Sequence, residues 1–136
     1  MTLTRRLLWL LTALYWVVLF ALTHTRPIHI IRGPSNDKVQ HFLAYFVLGC
    51  LVGTTLWVAR PARRRILPLL VIAIGAAYGV FDELTQIPVG RDAEVLDWVA
   101  DLSGSAAAAA IVAVVNFVHA RRSPPRPLAS EQPAAV

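Results

Sequence analysis

Residues 95–118 read VLDWVADLSGSAAAAAIVAVVNFV, an apolar run interrupted by two acids, Asp97 and Asp101, and a few small polar residues. A bilayer's hydrocarbon core is about 30 Å thick, so a spanning helix needs roughly 20 mostly apolar residues at about 1.5 Å each. This run is long enough, and three others accompany it. Leu7–Thr23 is uncharged and carries Trp9, Tyr15, Trp16 and Phe20 among leucines and valines. Val39–Ala59 has His41 as its one basic group. Ile66–Gln86 reaches spanning length only when Asp82, Glu83 and Gln86 lie inside the helix, ahead of Pro88. The fold class expected is all-α: a four-helix transmembrane bundle over residues 1–120, with spans at about 7–23, 39–59, 66–86 and 95–118. The remaining segment, 121–136, contains Pro124, Pro125, Arg126, Pro127 and Pro133 and is expected to be a disordered tail.

Composition agrees. Of 136 residues, 57% are apolar and 15% charged, against roughly 45–50% and about 25% in soluble domains. The net charge is +5 and the isoelectric point 10.4, but the basic residues form short clusters between apolar runs, so no nucleic-acid-binding face is expected. A single cysteine, Cys50, excludes a disulfide framework and a multi-cysteine zinc site. The first run exceeds the roughly 7–15 residues of a signal-peptide core, and Ala21-Leu22-Thr23 is a poor cleavage site, so it is read as an uncleaved helix. Arg5, Arg6, Arg60, Arg63, Arg64, Arg65, Arg121, Arg122 and Arg126 fall on one side of the four spans. Arg26, Arg32, Lys38 and Arg91 fall on the other. The positive-inside rule then places both termini in the cytoplasm.

With that orientation the costly residues gather at the outer end: Asp37, Lys38, His41 and Tyr45 on the second helix, Asp82, Glu83 and Gln86 on the third, Arg91 in the loop, and Asp97 and Asp101 on the fourth. Counting back from Phe117 places Asp101 about 5 Å inside the hydrocarbon. A carboxylate at the bilayer centre costs roughly 2.5–3.5 kcal/mol on insertion scales, so Asp101 is expected to face the bundle and to have a partner. Residues three or four apart share a helix face. Three faces emerge: Asp37, His41, Tyr45, Gly49 and Gly53; then Gly75, Gly79, Asp82 or Glu83, and Gln86; then Asp97, Asp101, Gly104 or Ser105, and Ala108. Each is polar at its outer end and small at its inner end. The small-xxx-small spacings let helices approach closely. Three helices pressed together at the inner side and opening outward around a polar cluster are therefore expected, and the glycine faces would also permit a homo-oligomer.

Ordinary structural roles compete for several residues. Asp37 with Gln40 three residues on resembles a capping box. Asp92 fits the N-cap of the fourth helix, with Glu94 a first-turn acid. Lys38 can snorkel to the surface, and the tryptophans suit an interfacial belt. Asp82, Glu83, Asp97 and Asp101 are the residues least explained by such roles.

Taken together, Asp37-Lys-Val-Gln-His41-Phe-Leu-Ala-Tyr45, Asp82-Glu-Leu-Thr-Gln86, Gly90-Arg91 and Asp97-Trp-Val-Ala-Asp101-Leu-Ser-Gly104 resemble the VanZ-like family of bacterial membrane proteins. The resemblance runs from Asp37 to Gly104, and it departs from the family pattern at Val89-Gly90, where Pro-Gly is usual. It implies a four-helix protein of the bacterial inner membrane and a link to resistance to the glycopeptide teicoplanin. It implies no established reaction.

Two functions follow for the cluster. The first is a site for a cell-envelope ligand, a lipid-linked cell-wall component or a glycopeptide. Asp37, His41, Tyr45, Asp82, Glu83, Gln86, Asp97 and Asp101 would accept or exchange hydrogen bonds there, and Lys38 and Arg91 would pair with phosphate or carboxylate. The second is a membrane-surface hydrolase or transferase on a lipid-linked substrate. His41, Asp82 and Asp101 would be the acid–base candidates, and Asp82, Glu83, Asp97 and Asp101 the candidate ligands of a divalent cation. No resident cofactor is otherwise expected. A transporter is disfavoured because the acids sit at one end and supply no polar path across. An accessory protein whose polar cluster only ties helix ends together is the remaining alternative.

Overall fold

The computed structural model describes residues 2–24, 36–90 and 93–122. These form four α-helices and two short 3-10 segments, with no strand among the described residues. Helix α1 spans Leu3–Thr23, α2 Asn36–Ala59, α3 Leu67–Gln86 and α4 Val95–Arg122. Pro61–Ile66 leads into α3, and Ile87–Val89 ends it at Gly90. Each helix is long and apolar enough to cross a membrane, which marks the chain as a multi-pass membrane protein. Arg91, Asp92 and the tail from Ser123 lie outside the described residues, so the expectations for Arg91, for the Asp92 side chain and for a disordered tail lie outside them too.

The helix starts differ from expectation in instructive ways. Thr2 caps α1, its hydroxyl accepting from the Arg5 amide, so Arg5 and Arg6 lie inside the helix. Helix α2 begins at Asn36, which puts Asp37 within its first turn and not at the N-cap. Helix α4 begins at Val95, so the N-cap position falls to Glu94, whose carbonyl accepts from the Asp97 and Trp98 amides. The 3-10 turn opened by Pro61 carries Arg63, Arg64 and Arg65. Gly90 closes the turn after α3 in the left-handed region at φ 79°, which only glycine adopts cheaply.

The bundle is held by a parallel pair, α2 and α4, in constant register. Contacts between them keep sequence offsets of 59 or 60 residues from Lys38–Asp97 through His41–Asp101 to Trp57–Asn116. The glycines set this seam. A methyl on Gly49 would sit 2.7 Å from Ala108 Cβ, one on Gly53 2.6 Å from Val112 Cγ2, and one on Gly104 would strike the Phe42 carbonyl oxygen. Helix α3 runs antiparallel to α4, with Gly75 against Ser105 and Gly79 against Asp101. All these glycines are consumed inside one chain. They press the helices together, as the small-xxx-small spacings lead one to expect.

Helix α1 is the outlier. It lies against α2, through a Thr12–Thr55 hydroxyl pair at 2.8 Å and a Tyr15 hydroxyl bonded to the Ala44 carbonyl at 2.9 Å. Most of its leucines and valines face outward, as a lipid-exposed helix requires. The buried core between the helices is built from Tyr45, Leu48, Val52, Val71, Tyr78 and Ala108. The tryptophans expected to form a belt mostly point inward. Trp98 donates to the Ala76 carbonyl, Trp57 donates to Asn116 Oδ1, and Trp16 meets Tyr78 edge-on at 5.1 Å.

Candidate functional site

One end of the bundle is formed by the close of α1, the start of α2, the close of α3 and the start of α4. Every acid among the described residues lies there: Asp37, Asp82, Glu83, Glu94, Asp97 and Asp101, accompanied by Lys38, His24 and His41. Helix dipoles account for only some of them. Asp37 and Asp97 occupy first turns, where a negative charge is favoured. Asp82 and Glu83 sit near the C-terminus of α3, where the dipole opposes them. Helix stability therefore does not explain their presence.

The cluster is closed over, and this corrects the expectation of an outward opening around these side chains. Asp82 and Asp101 are 0% exposed, Gln86 1%, Asp97 4%, Glu83 6% and His41 7%. Burial at this depth requires partners, and the partners divide the acids into two kinds. Asp82 is saturated: Oδ1 accepts from the Thr23 hydroxyl at 2.8 Å, and Oδ2 from Gln86 Nε2 at 3.1 Å. His24 Nδ1 lies 3.8 Å from the same carboxylate, and His24 Nε2 reaches Thr85 Oγ1 at 2.9 Å. Asp97 is also engaged, with one oxygen on the Lys38 ammonium and the other 3.8 Å from His41 Nε2.

Glu83 and Asp101 are each only half satisfied. Glu83 Oε2 accepts the Glu94 backbone N–H at 2.8 Å, a cap reaching from α3 to the start of α4. Asp101 Oδ1 accepts from His41 Nδ1 at 2.9 Å. Their second oxygens, Glu83 Oε1 and Asp101 Oδ2, are shielded from water with no hydrogen-bond partner among the described residues. The Tyr45 hydroxyl is in the same condition. It lies within electrostatic reach of Asp101, Asp82 and Glu83, while its ring stacks on Tyr78 at 5.7 Å. Gly79 makes the space for Asp101: a Cβ there would stand 3.1 Å from Oδ2 and 3.0 Å from Trp98 Cδ1.

Lys38 does not snorkel away. It bridges Asp97 and Glu94, the latter at 2.5 Å. That ammonium holds the exposed Glu94 carboxyl below its ordinary range. The structure thus brings together His41, Tyr45, Asp82, Glu83, Gln86, Asp97 and Asp101, with Lys38 and a half-buried Asp37 at the margin. Comparison with protein-family models, curated proteins and solved structures returns no match.

Thr23, His24 and Thr85 were absent from the sequence reading of the site. The run of α1 is uncharged and is read from the sequence only as an uncleaved helix. A signal existed in His24, a titratable residue placed just after that run and on the same side as the acids.

Two groupings satisfy the elementary geometry of a cation site, Asp37 with His41 and Asp97, and His41 with Glu83 and Asp101. Both contain His41. Asp82, expected among the cation ligands, belongs to neither, and both of its oxygens accept hydrogen bonds.

Proposed function

We propose that this is a VanZ-like protein of the bacterial inner membrane, with both termini in the cytoplasm and the acid cluster at the outer end. There it binds a cell-envelope ligand, a lipid-linked cell-wall component or a glycopeptide, and contributes to teicoplanin-type resistance or to envelope homeostasis. The orientation is supported by charge placement. Arg5, Arg6, Arg60, Arg63, Arg64, Arg65, Arg121 and Arg122 all lie at the end opposite the acids. The family assignment rests on the spaced residues from Asp37 to Gly104.

The observation that carries the ligand reading is the set of unpaired buried groups. An orphaned buried polar atom costs about 1–3 kcal/mol, more when charged. Three of them, Glu83 Oε1, Asp101 Oδ2 and the Tyr45 hydroxyl, belong to the side chains of this cluster. A cluster that served only to tie helix ends together would satisfy its own members, as Asp82 does with Thr23 and Gln86. A ligand with hydroxyl, amide or ammonium donors would complete them.

The test is survival under a teicoplanin-type glycopeptide in cells expressing the chain. Glu83→Gln and Asp101→Asn are expected to abolish any protection while membrane protein level stays constant. Protection that persists in both variants contradicts the reading. A reporter fused after Arg122 is expected to behave as cytoplasmic, and one inserted at Gly90 as external.

A second reading is favoured by one specific observation, the His41–Asp101 bond at 2.9 Å. A carboxylate fixing an imidazole is the arrangement of a general acid–base pair, which would serve a hydrolase or transferase on a lipid-linked substrate. Turnover of such a substrate by purified protein, lost in His41→Ala while binding survives, separates this reading from binding alone.

A further inference from the structure

Within the acid cluster, Glu83 and Asp101 present a pattern that hydrogen bonding leaves unexplained. Each is at least nine-tenths buried, each uses one oxygen in a defined bond, and each leaves the other without a hydrogen-bond partner among the described residues. Among the described residues the one histidine bonded to either carboxylate, His41, is already spent on Asp101 Oδ1. Lys38 is committed to Asp97 and Glu94.

We propose that His41, Glu83 and Asp101 form a binding site for one divalent first-row metal ion of the Zn²⁺ or Mn²⁺ kind. One donor atom from each lies within 4.8 Å of the other two, and all three residues are buried. The separation of His41 Nδ1 and Asp101 Oδ1, 2.9 Å, is close to the roughly 3 Å between neighbouring ligands when metal–ligand bonds are about 2.0–2.2 Å. The ion would take the place of the hydrogen between that pair, and a neutral His41 would then carry its proton on Nε2, the nitrogen 3.8 Å from Asp97 Oδ2. Glu83 completes the set by turning its unpaired Oε1 inward while Oε2 keeps the Glu94 amide.

The donor chemistry selects the metal. An imidazole nitrogen with two carboxylates suits a borderline ion, whereas Mg²⁺ and Ca²⁺ favour oxygen donors throughout. The competing grouping of Asp37, His41 and Asp97 is weaker. Asp97 already carries the Lys38 ammonium, Asp37 is only half-buried, and neither carboxylate has a buried orphan oxygen. Three protein ligands leave at least one coordination position open, as in metal sites that bind a further ligand. The inference deepens the ligand-site reading and rests on it only for what fills that position, since the ion itself binds without an envelope molecule.

The test uses the full chain in detergent micelles, stripped with a chelator and titrated with Mn²⁺ followed by electron paramagnetic resonance, then with Zn²⁺ as competitor. The expected result is one ion per chain, displaced by Zn²⁺. Glu83→Gln is expected to weaken binding at least about 100-fold, beyond the 10–100-fold typical for losing an outer-shell partner. This variant keeps a side-chain oxygen for the Glu94 amide and so preserves the helix cap. Wild-type protein that binds neither ion above a protein-free micelle control overturns the proposal without recourse to any variant. Asp37→Asn losing the ion while Glu83→Gln retains it also overturns it, by placing the ion in the other grouping. Failure of glycopeptide protection with metal binding intact would instead count against the envelope-ligand reading alone.

Discussion

At the end of the bundle where α1 begins and α2 and α4 finish, polar side chains form a bracket. Trp57 donates to Asn116 Oδ1, Asn116 Nδ2 donates to the Arg64 carbonyl at 2.6 Å, and the Arg64 guanidinium lies 3.8 Å over the Trp57 ring and 2.5 Å from His119. Arg5 reaches across to the Ala59 carbonyl at 3.1 Å. Some donors there stay unpaired, notably Arg5 Nε and Arg64 Nε, yet the arginines of this end are for the most part exposed and ready to meet water or lipid phosphate. At the opposite end the charges are mostly acidic, four of the acids are buried, and Glu83 Oε1 and Asp101 Oδ2 have no hydrogen-bond partner among the described residues. The first arrangement is what a membrane protein needs to fix helix ends and orientation. The second is an arrangement that the proposed ligand would neutralise.

Substitutions can break or sharpen this contrast. The largest effect is expected one turn below Asp101, at Gly104, where an added methyl meets the Phe42 carbonyl and the Phe46 nitrogen of α2. Backbone cannot move aside as a side chain can, so Gly104→Ala should destabilise the fold by about 3 kcal/mol, read by thermal unfolding in detergent. Because Gly104 sets the α2–α4 register, both ends should loosen together. Asn116→Ala comes next. It strands the Trp57 indole N–H and the Arg64 carbonyl and should cost about 2 kcal/mol, with Trp57 fluorescence shifting and the acid end unchanged. Equal disturbance at both ends would deny that they are separate units.

The smallest effect is expected at the exposed Lys38–Glu94 pair. Glu94 titrates lower in the folded chain than in the unfolded one, so its contribution is complete above the usual carboxylate range and is lost as pH falls through its lowered value. Comparing acid unfolding of wild type and Glu94→Gln should show curves that differ at neutral pH and merge at low pH. A difference that grows as pH falls would contradict the sign.

Much of this architecture was legible in the residues. Hydropathy located all four helices, and helical spacing placed Asp101, Gly104, Ser105 and Ala108 on one buried face. The demand that α3 run through Asp82, Glu83 and Gln86 to reach spanning length also held. The division of labour among the acids was not legible. Asp82 and Glu83 are adjacent, so they point about 100° apart around α3; one meets Thr23 of α1 and the other the start of α4. No periodicity reveals which neighbour stands at each angle. The tryptophans misled for a similar reason: the indole N–H can face lipid headgroups or a carbonyl on the next helix, and Trp98 takes the Ala76 carbonyl.

The central claim is that the acid end is arranged for a ligand and not for stability, and Glu83→Gln tests it most directly. The new amide can keep the Glu94 cap through its oxygen and offer its N–H₂ to acceptors that now lack donors. Thermal unfolding of metal-free protein should therefore show Glu83→Gln as stable as wild type or more stable, by up to about 1 kcal/mol, with glycopeptide protection lost. A clear loss of stability in this variant, comparable to that of Asn116→Ala, would instead make Glu83 a structural bracket like its counterpart at the arginine end and contradict the account.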